Sequence, residues 1–312
     1  MIILPRRNGL RLFFAMRGSV IPRIAWSLVL CTSLATVATV AHGYLFHWHV
    51  TLTPVPFSLI GLALAIFLGF RNSAAFDRYW EGRRLWGDLL HRARTLARQV
   101  QTLTSLPEAA VADDHSDPRT AMIRRTIGFA HALRHQLRDT DPRAELARWI
   151  GEDELAGFSR SGAGASFLLT QTGYDLGRLL RAGQVDPRLA AEIDNTLSGL
   201  SADAAGCERI KSTPLPFAYT LLLHRTAYLY CFLLPFGLVE TIGVITPLVV
   251  AIVAYTFFGL DALGSEIEEP FGTEPNHLAL DAMCRTIEIN MLRALGASSV
   301  PDALAPENGV LL

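Results

Sequence analysis

Charge divides this chain into apolar and polar blocks. From Ile24 through Phe70 there is no Asp, Glu, Lys or Arg, and Ser212 through Leu260 carries only Arg225 and Glu240. Every other charge lies in residues 1–23, 71–211 or 261–312. One crossing of a hydrocarbon core takes about 20 apolar residues, so each apolar block suffices for two. The pattern predicts four transmembrane helices, at about 24–46, 52–70, 217–238 and 242–260. The polar block between them has helical period. Phe76, Tyr79, Trp80, Leu85, Trp86, Leu89 and Leu90 recur at spacings near three and four, with arginines between. Leu106-Pro107 closes that run, and Asp113–Asp117 followed by Pro118 reads as a loop and a new helix start. Further helices are expected over 119–138, 142–150, 165–183, 187–211 and 277–296. No alternating run bounded by hairpin turns is present.

The fold class is therefore all-α: a polytopic membrane protein whose four transmembrane helices continue into a cytoplasmic helical bundle. Residues 1–296 read as one unit. Residues 297–312, with Pro301, Pro306, Asn308 and Gly309, read as a flexible tail.

Charge asymmetry orients the spans. Residues 1–23 carry Arg6, Arg7, Arg11, Arg17 and Arg23 and no acid, which keeps this end in the cytoplasm. The turn around Tyr44–Pro56 has no Lys or Arg and faces outward. Arg71, Arg78, Arg83 and Arg84 then return the chain to the inside. The second block repeats the pattern, with Lys211 before it and a turn near Pro235–Pro247 free of Lys and Arg. Both termini and residues 71–211 are expected in the cytoplasm, and the spans in the inner (plasma) membrane. The first apolar stretch is too long for a cleaved signal peptide and leads straight into a second span.

Composition then narrows the chemistry. The net charge of −1 offers no basic field for nucleic acid. Cys31, Cys207, Cys231 and Cys284 are scattered without a CxxC pair, so neither a disulfide framework nor a zinc site is indicated. His42, His47 and His49 cluster near the outer surface, but no Cys or acid completes a coordination set. Rings beside Tyr44 and Trp48 suit the interface anyway. His131 and His135, four apart, are geometrically able to share a metal; a solvated helix face explains them more simply. Ser161-Gly162-Ala163-Gly164-Ala165 lacks the Gly-Lys-Ser/Thr of a phosphate loop and reads as a linker. No Ser/His/Asp or Cys/His constellation stands out. Neither an enzyme, a cofactor nor a metal site is expected.

Arg225 lies about two turns into the third span, where a charge costs about 2.5–3.5 kcal/mol unless paired or snorkelled. It either reaches the cytoplasmic surface or pairs with Asp261 or Glu266, which leave the fourth span on the same side. The second span has no polar face at all, and Gly61, Ala63, Ala65 and Gly69 allow close helix packing.

Three motifs go further. Phe67-Leu68-Gly69-Phe70-Arg71-Asn72-Ser73 with Asp77-Arg78-Tyr79-Trp80-Glu81 and Leu85-Trp86, then Thr213-Pro214-Leu215-Pro216-Phe217-Ala218-Tyr219-Thr220, then Glu268-Glu269-Pro270-Phe271-Gly272 together resemble the bestrophin family, specifically its bacterial branch. The resemblance runs in order from the first span to about residue 295. It implies an ion channel: a homopentamer in the lipid bilayer with one central pore lined by the second helix of each subunit. Its hydrophobic neck corresponds to Leu62, Ile66 and Phe70, and its cytosolic aperture to Leu215. Residues four apart share a helical stripe, and hydrophobic constrictions gate by dewetting.

Eukaryotic relatives follow Pro-Phe-Gly with a run of acids that clasps calcium. Here Thr273-Glu274-Pro275-Asn276-His277 follows, with one carboxylate, too few for a cation that takes six to eight oxygens. The implied cargo is chloride or another small monovalent anion. An uncharged neck does not itself choose a sign, so a monovalent-cation channel of the same architecture stays open, as does a non-conducting membrane-anchored scaffold. A transporter fits poorly, because the spans show no internal repeat.

Overall fold

The computed structural model describes residues 1–3, 15–16, 18–45, 53–106 and 116–312. Ten α-helices follow in chain order among the described residues: α1 (Ile21–Leu45), α2 (Pro54–Thr102), α3 (Pro118–Leu137), α4 (Arg143–Leu146), α5 (Glu152–Ser161), α6 (Ser166–Arg181), α7 (Pro187–Ser212), α8 (Phe217–Ile242), α9 (Thr246–Ile267) and α10 (Leu280–Ala294). The only β-type pairings among these residues are isolated bridges.

The chain forms two compact units. The first combines Leu4–Tyr79 with Pro214–Pro270, and the second combines Met1–Ile3, Trp80–Thr213 and Phe271–Leu312. The division follows composition: the apolar blocks bury against one another, and the polar helices build a core of their own. Helix α2 contributes to both. It does not stop at the end of the apolar run, because Arg71–Glu81 contains neither Gly nor Pro to break it.

Among the described residues, three stretches are long and apolar enough to cross a membrane: Ile21–Ala41, Pro54–Thr102 and Phe217–Ile267. The last is folded as α8 and α9, joined by the short 3₁₀ turn Gly243–Ile245. Gly243 opens that turn at φ 54°, a value glycine tolerates best. The turn is narrower than expected. Pro235 lies buried inside α8, and Pro247 starts α9. In the first unit, Ile24, Cys31 and Ala35 of α1 pack with Phe57 of α2, Cys231 and Leu234 of α8, and Val250, Ala254 and Phe258 of α9. Small residues bring the helices close: a Cβ on Gly61 would lie 2.7 Å from the Tyr230 hydroxyl.

The second unit has a core of Trp86, Leu89 and Leu96 from α2, Ile123, Ile127 and Leu133 from α3, Leu168 and Leu179 from α6, Ile193 and Leu200 from α7, and Cys284 and Ile287 from α10. Asp117 caps α3 by accepting from the Arg119 amide at 2.7 Å, with Pro118 in the first turn. Helix α5 had no counterpart in the sequence reading, and the helix expected at 142–150 shrinks to the single turn α4. Gly162 (φ 64°) and Gly164 (φ 58°) make the linker between α5 and α6. The segment 297–312 makes backbone bonds to residues 1–3 and to α10. Ile3 N–H donates to Gly309 O at 2.9 Å, Leu311 N–H to Met1 O at 2.8 Å, and Ala282 N–H to Leu312 O at 2.9 Å.

Candidate functional site

The first part of α2 has two faces. Phe57, Leu64, Leu68, Arg71 and Ala75 are buried. Leu62, Ile66 and Phe70 are 62 %, 49 % and 64 % exposed. At 3.6 residues per turn, these three centre about 180° from the buried stripe. Leu64 explains the inward face: it packs on Leu223 and Ala227 of α8. A lone chain thus presents an uninterrupted apolar ridge on the helix face opposite its own core.

The ridge ends on a buried charge. Arg71 is 1 % exposed. Its Nη1 donates to Asp261 Oδ1 at 2.7 Å and to Asp261 O at 3.2 Å, and Nη2 donates to Ser265 Oγ at 2.7 Å. Glu268 Oε2 lies 3.6 Å from Nη2. The second Asp261 oxygen is 2.7 Å from His224 Nδ1. Asn72 donates to Leu260 O at 3.1 Å, anchoring the next position of α2 on the same turn of α9.

Matching proteins put this geometry in a family. The model for "Bacterial/Fungal Bestrophin protein" covers residues 1–293. The chain belongs to the bacterial bestrophin family. It is 45 % identical over 98 % of its length, and 95 % of the relative's, to a protein of Mesorhizobium japonicum named a voltage-dependent anion channel-forming protein. It is 40 % identical, with 98 % of each chain covered, to the protein of that name from Escherichia coli K12. A crystal structure of a bacterial bestrophin homolog from Klebsiella pneumoniae superposes with a TM-score of 0.82 at 40 % identity, covering 88 % of this chain and all of that one.

In this bestrophin, Leu215 lies between α7 and α8, flanked by Pro214 and Pro216. Its amide donates to Glu268 Oε1 at 3.0 Å. Arg225 is exposed on α8, and the structure does not bring it to either expected acid. Asp261 is held by Arg71 and His224, and Glu266 lies 3.5 Å from Arg23. Of the two outcomes open to Arg225, surface exposure or a pair with an acid, its side chain shows the exposed one, and the arginine beside Asp261 is Arg71. Sequence reading treated Arg71 as a topology marker. The signal that singles it out is its place three residues after Leu68 and seven after Leu64, which continues the inward stripe.

The histidines fall differently from expectation. His42, His47 and His49 lie outside the described side chains. His131 is 3 % exposed, not on a solvated face. Its Nδ1 is 3.0 Å from Glu145 Oε1, and its Nε2 is 3.7 Å from Glu288 Oε2. His135 Nε2 is 2.9 Å from Glu145 Oε2, so the Glu145 carboxylate lies between the two rings. Burial pulls the His131 pKa down, but the two carboxylates more than offset it and the net value is raised. Burial likewise favours neutral Glu145, yet His131, His135 and Arg134 outweigh it and hold that carboxyl well below its usual range. No group of three or more potential metal ligands occurs among the described residues.

Proposed function

We propose that the chain is one subunit of a homopentameric ion channel that passes small monovalent anions, chloride foremost, down their gradient. Five copies of the Leu62, Ile66 and Phe70 ridge enclose a hydrophobic neck, and five copies of Leu215 form the cytosolic aperture. The single observation that carries this reading is the opposition of the two stripes on α2. An apolar ridge facing away from the subunit core needs lipid or symmetry-related copies to cover it. Cyclic assembly provides such a ring, and a ring of apolar side chains closes by dewetting. The names of the relatives from Mesorhizobium and Escherichia supply the sign of the ion, which an uncharged neck does not set.

Each subunit crosses the bacterial inner membrane four times, α8 and α9 forming the third and fourth crossings. The arginines of residues 1–23 and 71–84 hold both termini and residues 71–211 in the cytoplasm. No step in this function involves bond chemistry, so the protein acts as a channel and not as an enzyme.

Purified protein in planar bilayers tests the reading. Unitary currents whose reversal potential follows the chloride gradient support it. Currents that follow the cation gradient correct the sign and keep the architecture. Silent bilayers from folded pentamer favour a membrane-anchored scaffold.

A further inference from the structure

Glu268 makes two contacts that the pore reading leaves unused. One oxygen accepts the Leu215 amide at 3.0 Å, and the other faces the Arg71 guanidinium at 3.6 Å. Its side chain is largely buried at the C-terminal end of α9, and its backbone carbonyl accepts from Arg78 Nε at 3.1 Å. One carboxylate therefore bridges two places. The first is the residue directly after Phe70. The second is the short linker that carries Leu215.

The chemistry of the linker makes this contact unusually decisive. Pro214 and Pro216 have no N–H, so the Leu215 amide is the only backbone donor in the tripeptide. No neighbouring donor can replace it. The bond is charge-assisted, and such bonds are shorter and stronger than neutral ones. Arg71 is in turn fixed by Asp261 and Ser265, so the carboxylate is anchored on α2 and not free to follow the linker.

We propose that Glu268 is a positioning residue that ties the aperture to the neck-bearing helix through Arg71. Displacement of α2 at Phe70 then moves Leu215 with it, and the two constrictions change together. This inference rests on the pore reading above for its functional consequence but not for the tie itself.

Two measurements on the full-length protein test it. The first is hydrogen–deuterium exchange at the Leu215 amide, which reads the tie without any current. Glu268→Ala speeds exchange there by about tenfold or more, the range for losing a bond to a charged acceptor. Arg71→Met also speeds it, because the carboxylate loses its anchor. Glu268→Gln, which keeps an acceptor oxygen, has the smaller effect. If Arg71→Met does not fold, Arg71→Lys keeps the charge without the planar fork and gives an intermediate rate. Unchanged exchange in both Glu268→Ala and the Arg71 variant overturns the tie.

The second measurement is the permeability of thiocyanate relative to chloride, with open probability, in planar bilayers. Glu268→Ala changes the ratio in protein that still melts as a pentamer. A merely structural role would lower the melting temperature and leave the ratio alone. A wild-type ratio and open probability in a conducting Glu268→Ala channel, despite faster exchange at Leu215, overturns the functional link. If the wild-type protein itself carries no current, the channel reading fails, and the exchange arm still decides the tie.

Discussion

Phe70 and Arg71 are neighbours in the chain and opposites in environment. Phe70 lies on the exposed ridge of α2, while the Arg71 guanidinium is sealed against Asp261 and Ser265. Removing one partner of a buried ion pair strands the other and costs about 3–5 kcal/mol. Arg71→Leu is therefore expected to lower the thermal midpoint of the purified protein sharply. Phe70→Ala removes a side chain that packs little within its own chain, so its midpoint should stay near wild type. Melting curves in one detergent compare the two directly.

The ridge itself is tested by truncation. Alanine at Leu62, Ile66 and Phe70 together widens and wets the neck, raising unitary conductance or open probability. Unchanged currents in the triple variant place the pore elsewhere.

Topology follows from the arginine asymmetry. Reporter fusions at Ser105 and at Leu312 should both report the cytoplasm. A periplasmic signal from either breaks the four-crossing arrangement.

Calcium is expected to have little effect. After Gly272 the nearest carboxylates are Glu274 and Asp281, and Asp281 is already held by Arg134 Nη1 at 2.9 Å and Arg138 Nη1 at 2.8 Å. The Glu274 amide donates to His277 Nδ1 at 3.2 Å, closing the loop on itself. With so few free acidic oxygens, any site is of the weak kind, in roughly the millimolar range. Channels recorded in chelator should conduct as they do in micromolar calcium. A steep activation curve abolished by Glu274→Gln would contradict this.

Asp203 on α7 provides a pH dependence. Burial pushes its pKa from 3.8 to about 6, against the pull of Arg92, whose Nε is 3.0 Å away. A carboxyl whose folded pKa is raised contributes stability below its unfolded value and loses it as pH rises through the folded one. This group therefore makes the protein more stable near pH 3.8 than above about 6. Asp203→Asn should flatten that part of the profile. Denaturant midpoints across the interval provide the check, and an unchanged slope would assign the dependence to other groups.

Much of the fold was legible because it follows from one-dimensional quantities. Charge-free length marks the apolar helices, and helical period marks α2, α3, α6, α7 and α10. Asp117 with Pro118 after it marks where α3 begins. Helix α5 was missed because its apolar positions are few and none is buried. The contacts of the tail beyond Gly296 were not legible because Pro, Asn and Gly signal irregular backbone whether or not it is anchored. Its bonds to Met1 and Ile3 join the two ends of the chain, which no local pattern contains.

The candidate site divides along the same line. The spacing of Leu62, Ile66 and Phe70 is a property of the sequence, because positions four apart in a helix must share a face. Which way that face points depends on partners more than 150 positions away, Leu223 and Ala227, which claim the opposite side. The sequence left Arg225 either reaching the cytoplasmic surface or pairing with Asp261 or Glu266. Only the tertiary structure showed that the arginine beside Asp261 is Arg71. The choice depends on the rotation of two helices about their axes, and packing among all of their neighbours sets that rotation.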